Sequence, residues 1–153
     1  MSKAYVFTRH GGPETQALID LDRPAPGPGE LLIAVRAAGV NPVDWKLRAG
    51  LRRPGDTGER VFPSVLGSEA SGVVTALGEG VTGFAVGDEV FGTALTGGYA
   101  EETILPVAIA AHKPAALSFA DAATLPVAAA TAYDGVHQLA LPAGATLLIV
   151  GAG

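Results

Sequence analysis

The stretch VLGSEASGVVTALGEGVTGFAVGDEVFGT, Val65 to Thr93, carries two strand-like runs separated by glycines, with VGDEV a tight turn into the second. Glycine and proline, 21 and 11 residues, make up about a fifth of the 153-residue chain, against a usual share of about 12%. Turns this frequent between short Val/Ile/Leu-rich runs favour a small barrel or sandwich over a helical bundle.

Upstream, KAYVF reads as an opening strand and ALIDLD (Ala17–Asp22) alternates as a half-buried strand should. The prolines of RPAPGPGE lack ladder donors and exclude regular structure. ELLIAVRAAGV (Glu30–Val40) is a longer strand. The period then switches at NPVDWKLRAG, where Asn41 suits a helix cap, Pro42 its first turn and Gly50 its end. Downstream, GGYAEETILP is another strand. In SFADAATLPVAAATAYDGVHQLALPAG, Ser118 with Asp121 resembles a capping box and Pro126 opens an alanine-rich helix. TLLIVGAG, Thr146 to Gly153, reads as a buried strand feeding a glycine turn, the opening of a dinucleotide-binding motif. A change of composition near Leu117 places a domain boundary between residues 1–117 and 118–153. The fold class expected is mainly β with short helices, then the first helix and strand of an incomplete α/β unit.

Hydrophobic residues are 48% and charged ones 16%, so the chain is globular. A net charge of −5 supplies no basic stripe for nucleic acid. The absence of cysteine removes disulfides and thiolate metal sites. MSKAYVFTRHGG has no apolar run suited to a signal peptide, and no stretch could span a bilayer, so the default location is the cytoplasm.

At VLGSEASGVVTALGEGV the chain resembles the medium-chain dehydrogenase/reductase superfamily. Gly67, Glu69, Gly72, Gly78 and Val81 occupy the places of that family's glycine-rich pattern. Ser68 stands where the zinc enzymes carry a histidine ligand, and Asn41 where they carry a cysteine. RHGGPE, NPVDWK, GGYAE and PVAAATAYDG are similar to the zinc-independent branch, the quinone oxidoreductases and enone or alkenal reductases. The resemblance implies a GroES-like barrel (1–117), then linking helices and the first Rossmann strand (118–153). It implies NADPH as cofactor, with NADH not excluded, a quinone or α,β-unsaturated carbonyl as acceptor, and a homodimer for the full-length protein. Without most of the nucleotide-binding half, the 153 residues alone are expected to be inactive.

Zinc needs three convergent ligands. His10, His112 and His137 lie far apart in sequence, and Asn41 and Ser68 are poor ligands, so neither catalytic nor structural zinc is expected. Without a Lewis acid, the fitting acceptors are already electrophilic. Asn41 is a helix cap, a cleft residue, or both. Asp44 favours the helix dipole, and the resemblance places it at the active-site edge. Trp45 is core or a flat wall of the substrate pocket. Lys46 is a solvated helix residue by itself. The resemblance puts it at the cleft mouth, holding the cofactor ribose or stabilising an enolate oxygen. Glu69, buried, needs partners, with Arg48 or Lys46 the candidates. Asp88 suits a turn and Tyr99 packing at the domain seam. Thr131 can bond back to its own helix, and the resemblance turns it to the nicotinamide. Gly151 and Gly153 would begin the pyrophosphate turn.

Two other readings remain open: an enoyl-reductase module of a polyketide-type synthase, disfavoured by the start at Met1, and a crystallin-like or binding protein of the same fold without activity.

Overall fold

The computed structural model describes residues 1–52 and 59–151. Strands β1 (Ser2–Phe7), β2 (Gln16–Leu21) and β4 (Ser64–Val65) form one antiparallel sheet in the order β2-β1-β4. Strands β3 (Glu30–Ala38), β5 (Glu69–Leu77), β6 (Glu89–Thr93), β7 (Glu102–Pro106) and β8 (Ala110–His112) form a second, in the order β7-β3-β5-β6-β8. Its pairs are antiparallel throughout. The stretch that opened the sequence reading supplies β5 and β6, at the centre of this sheet.

Alternation along the strands builds the core. Leu31 and Ile33 of β3, Val74 of β5, Val90 of β6 and Leu105 of β7 are fully buried against one another. Glycine is required where β5 crosses β3, because a Cβ on Gly72 would lie 2.1 Å from the Ala34 carbonyl oxygen. The two sheets are joined through the loop between β6 and β7. The Tyr5 N–H donates to the Tyr99 carbonyl at 2.7 Å, and the Tyr99 N–H to the Leu66 carbonyl at 2.9 Å.

Helix α1 (Pro42–Arg48) follows β3, as the period switch predicts. It buries Asp44 and Leu47, one turn apart, and turns Trp45 and Lys46 outward. Gly50, at φ +106°, ends it in the left-handed conformation that glycine adopts freely. Helix α2 (Phe119–Ala123) begins at the expected Ser118 cap, whose oxygen accepts from the Asp121 N–H at 3.1 Å. Buried Ala122 and Ala123 seat α2 on the larger sheet, where Ser71 Oγ donates to the Phe119 carbonyl at 2.6 Å. A single π-helical turn (Leu125–Ala129) containing Pro126 leads into α3 (Ala130–Gln138), which buries no residue.

The last stretch departs from expectation. Residues 146–150 form no strand, and Leu148 and Val150 are 84% and 87% exposed. A lone extended segment leaves its backbone donors and acceptors without partners, and among the described residues no strand pairs with it. Apolar composition alone does not make a strand.

Candidate functional site

Two buried carboxylates organise the space between α1, the start of β5 and the loop after β6. Asp44 comes from the first turn of α1. Its Oδ2 accepts from the Asn41 N–H at 2.8 Å, closing the cap of its own helix, and from the Tyr99 hydroxyl, also at 2.8 Å. Its Oδ1 is buried and has no hydrogen-bond partner among the described residues. Burial, and next the hydrogen bond to the Asp44 carboxylate, push the Tyr99 phenol well above its ordinary pKa, so this hydroxyl stays a donor.

Glu69, the second carboxylate, is 2% exposed at the first position of β5. Its Oε1 accepts from Asn41 Nδ2 at 2.7 Å and its Oε2 from the backbone N–H of Val127, also at 2.7 Å. The expected partners were Arg48 or Lys46, and neither serves. Arg48 Nε donates instead to the Gly11 carbonyl at 3.3 Å, and Lys46 lies on the exposed face of α1. Two polar N–H donors satisfy the buried carboxylate without burying a cation.

A cavity of about 340 Å³ opens beside these groups, between α1, residues 60–68 and the loop after β6, with Asp44, Ser68, Thr96, Leu47 and Arg60 among its lining. Trp45 and Lys46 do not line it. Trp45 is 54% exposed, which removes the core alternative, and the Lys46 ammonium lies 5.7 Å from its ring centroid. Thr131 is exposed, and its hydroxyl donates to the Val127 carbonyl. Gly151, at φ +78°, has open space where a Cβ would stand, and Gly153 lies outside the described residues. Asp88 sits where its turn reading puts it, Oδ2 accepting from the Ala85 N–H at 2.7 Å. Tyr99 does more than pack, because its hydroxyl is a ligand of Asp44.

Asn41, Asp44, Glu69 and Tyr99 thus form one hydrogen-bonded set, while Trp45, Lys46 and Gly151 stand apart from it. Sequence reasoning missed Val127, since a backbone N–H carries no residue-type signal. Among the described residues, no three His or carboxylate side chains converge as metal ligands.

A family model described as the alcohol dehydrogenase GroES-like domain matches residues 27–115. The chain belongs to this family. Its relatives are medium-chain dehydrogenases/reductases, and the strands above make a GroES-like barrel. The chain is 36% identical to a 2-methylene-furan-3-one reductase of Solanum lycopersicum, over 97% of this chain and 40% of the relative. It is 41% identical to a phthioceranic/hydroxyphthioceranic acid synthase of Mycobacterium bovis, over 91% of this chain and 6% of that protein. An Escherichia coli quinone oxidoreductase solved in complex with NADPH superposes with a TM-score of 0.80 at 30% identity, over 90% of this chain and 41% of that one. The chain therefore spans about 40% of the length of such reductases. Among the described residues, no helix is long and apolar enough to cross a membrane.

Proposed function

We propose that this chain is the substrate-side part of an NADPH-dependent oxidoreductase that reduces quinones or α,β-unsaturated carbonyls without zinc. The observation that carries the reading is the buried Asn41–Glu69 and Asp44–Tyr99 set beside a cavity. By the resemblance, Asn41 and Ser68 take the places of zinc ligands, and an amide and a hydroxyl are poor ligands for that metal. Residues 1–117 form the barrel, and 118–153 lead into a nucleotide-binding domain. The protein acts as a cytoplasmic homodimer.

Bound NADPH would supply the hydride. Thr131, exposed on α3, and Gly151, with open space where a Cβ would stand, are the residues proposed to meet the cofactor, with Gly153 as the second glycine of the sequence motif. The chain's own work is positioning and exclusion of water. Asp44 holds the α1 cap and Tyr99 in place, and the Asn41 amide ties the start of α1 to Glu69. Trp45, exposed outside the cavity, offers a flat face to a planar acceptor that extends beyond it. Lys46 carries a point charge able to hold ribose hydroxyls or to stabilise a developing oxyanion.

The identity with the mycobacterial synthase favours a second reading, an enoyl-reductase module acting on acyl thioesters. Spectroscopic NADPH oxidation by the full-length protein, with quinones, free enones and an enoyl thioester in parallel, decides between them. Turnover of quinones or free enones is expected; turnover of the thioester alone supports the module, and no oxidation with any acceptor overturns both.

A further inference from the structure

Glu69 joins parts of the chain that are far apart in sequence. Asn41 is 28 residues before it and Val127 is 58 after. The Val127 N–H turns to Glu69 Oε2 at the π-helical turn, and the Val127 carbonyl accepts the Thr131 hydroxyl. The result is a continuous polar chain, Asn41–Glu69–Val127–Thr131, in which Glu69 is buried and Val127 half-buried. Room for the carboxylate is built in, since a Cβ on Gly39 would stand 2.1 Å from Glu69 Oε1.

Resting on the function proposed above, we infer that Glu69 is a positioning residue, whose carboxylate sets Asn41 and Thr131 relative to each other across the site for a nicotinamide cofactor. A carboxylate suits this place because an ionised carboxylate only accepts hydrogen bonds, and both groups facing it are donors. Glutamine replaces it poorly, having a single acceptor oxygen: once Val127 takes that oxygen, an NH₂ faces the Asn41 NH₂ unless the Asn41 amide turns over and so changes the group it presents. Aspartate at position 41 fails in the opposite way, setting carboxylate against carboxylate at 2.7 Å. The double exchange Asn41→Asp with Glu69→Gln restores the match with donor and acceptor interchanged, at unchanged total charge. The inferred tie is therefore open to test by compensation.

The test uses the whole protein and two readouts. Melting temperature without cofactor is measured for E69Q, N41D and N41D/E69Q; each single change is expected to lower it, and the double variant to recover at least half of the larger loss. Additive losses would overturn the tie between the two side chains. NADPH dissociation constants are then measured at equilibrium for E69Q and for V90A, a core variant outside the hydrogen-bonded set that also lowers stability. Glu69→Gln is expected to weaken NADPH about tenfold, the scale of one charge-assisted hydrogen bond, with V90A at the wild-type value. Equal affinities in wild type, E69Q and V90A would overturn the positioning role. A wild type that binds no NADPH would defeat the proposed function instead, and the melting cycle would still decide the tie.

Discussion

The segment after the barrel is richer in apolar residues than the barrel itself, yet it is the barrel that buries them. In the barrel, Leu31, Ile33, Val74, Val90 and Leu105 are 0–1% exposed. Beyond Ala129 the chain is richer still in Ala, Leu and Val, yet α3 and residues 139–151 bury nothing, and Tyr133, Leu148 and Val150 are 73%, 84% and 87% exposed. The difference lies in partners: in the barrel each strand finds a neighbour of matching register, while the last stretch faces open space. In the proposed reading, those side chains are covered by the rest of a nucleotide-binding domain.

Mutation of one residue in each region gives the sharpest contrast. Leu105→Ala should cost about 2–5 kcal/mol of unfolding free energy, for lost burial and the cavity left behind. Leu148→Ala in this 153-residue chain should change it by less than about 0.5 kcal/mol. Urea titration measures both, and a comparable loss in the two would mean that the last segment packs against the barrel after all.

Within the site the contrast is between buried carboxylates and an exposed cation. Lys46→Met in the full-length enzyme should raise the NADPH KM with little change in kcat if the ribose is its partner. It should lower kcat and kcat/KM together, by about 10²–10³, if a developing oxyanion is. Wild-type constants would reduce Lys46 to a solvated helix residue.

A smaller effect comes from Tyr99. The fold raises its pKa, so the folded chain keeps a proton that the unfolded chain releases near pH 10. Its contribution to stability is therefore complete below about pH 10 and falls as the pH climbs beyond that value. Denaturation curves of wild type and Tyr99→Phe should converge as the pH rises above 10, and a constant gap would remove Tyr99 from the account.

The two regions were also unequally legible in the sequence. The barrel strands, the Asn41–Pro42 helix start and the Ser118 cap follow from local patterns, which act over a few residues. The short strands β4 and β8 carry too few residues to show a period. Opposite charge points to Arg48 or Lys46 as partners of Glu69, whereas the structure uses a neutral amide, Asn41, and the Val127 backbone N–H 58 residues away. TLLIVG reads as a strand from its own residues, but a strand's existence depends on neighbours that those residues do not encode.

The central claim is reduction of an electrophilic acceptor without a metal. Its most direct test is the rate of NADPH oxidation with a quinone by the full-length protein, before and after exhaustive chelation, with zinc content measured on the same samples. An unchanged rate at far less than one zinc per chain is expected. Loss of the rate on chelation, restored by added zinc, would contradict it.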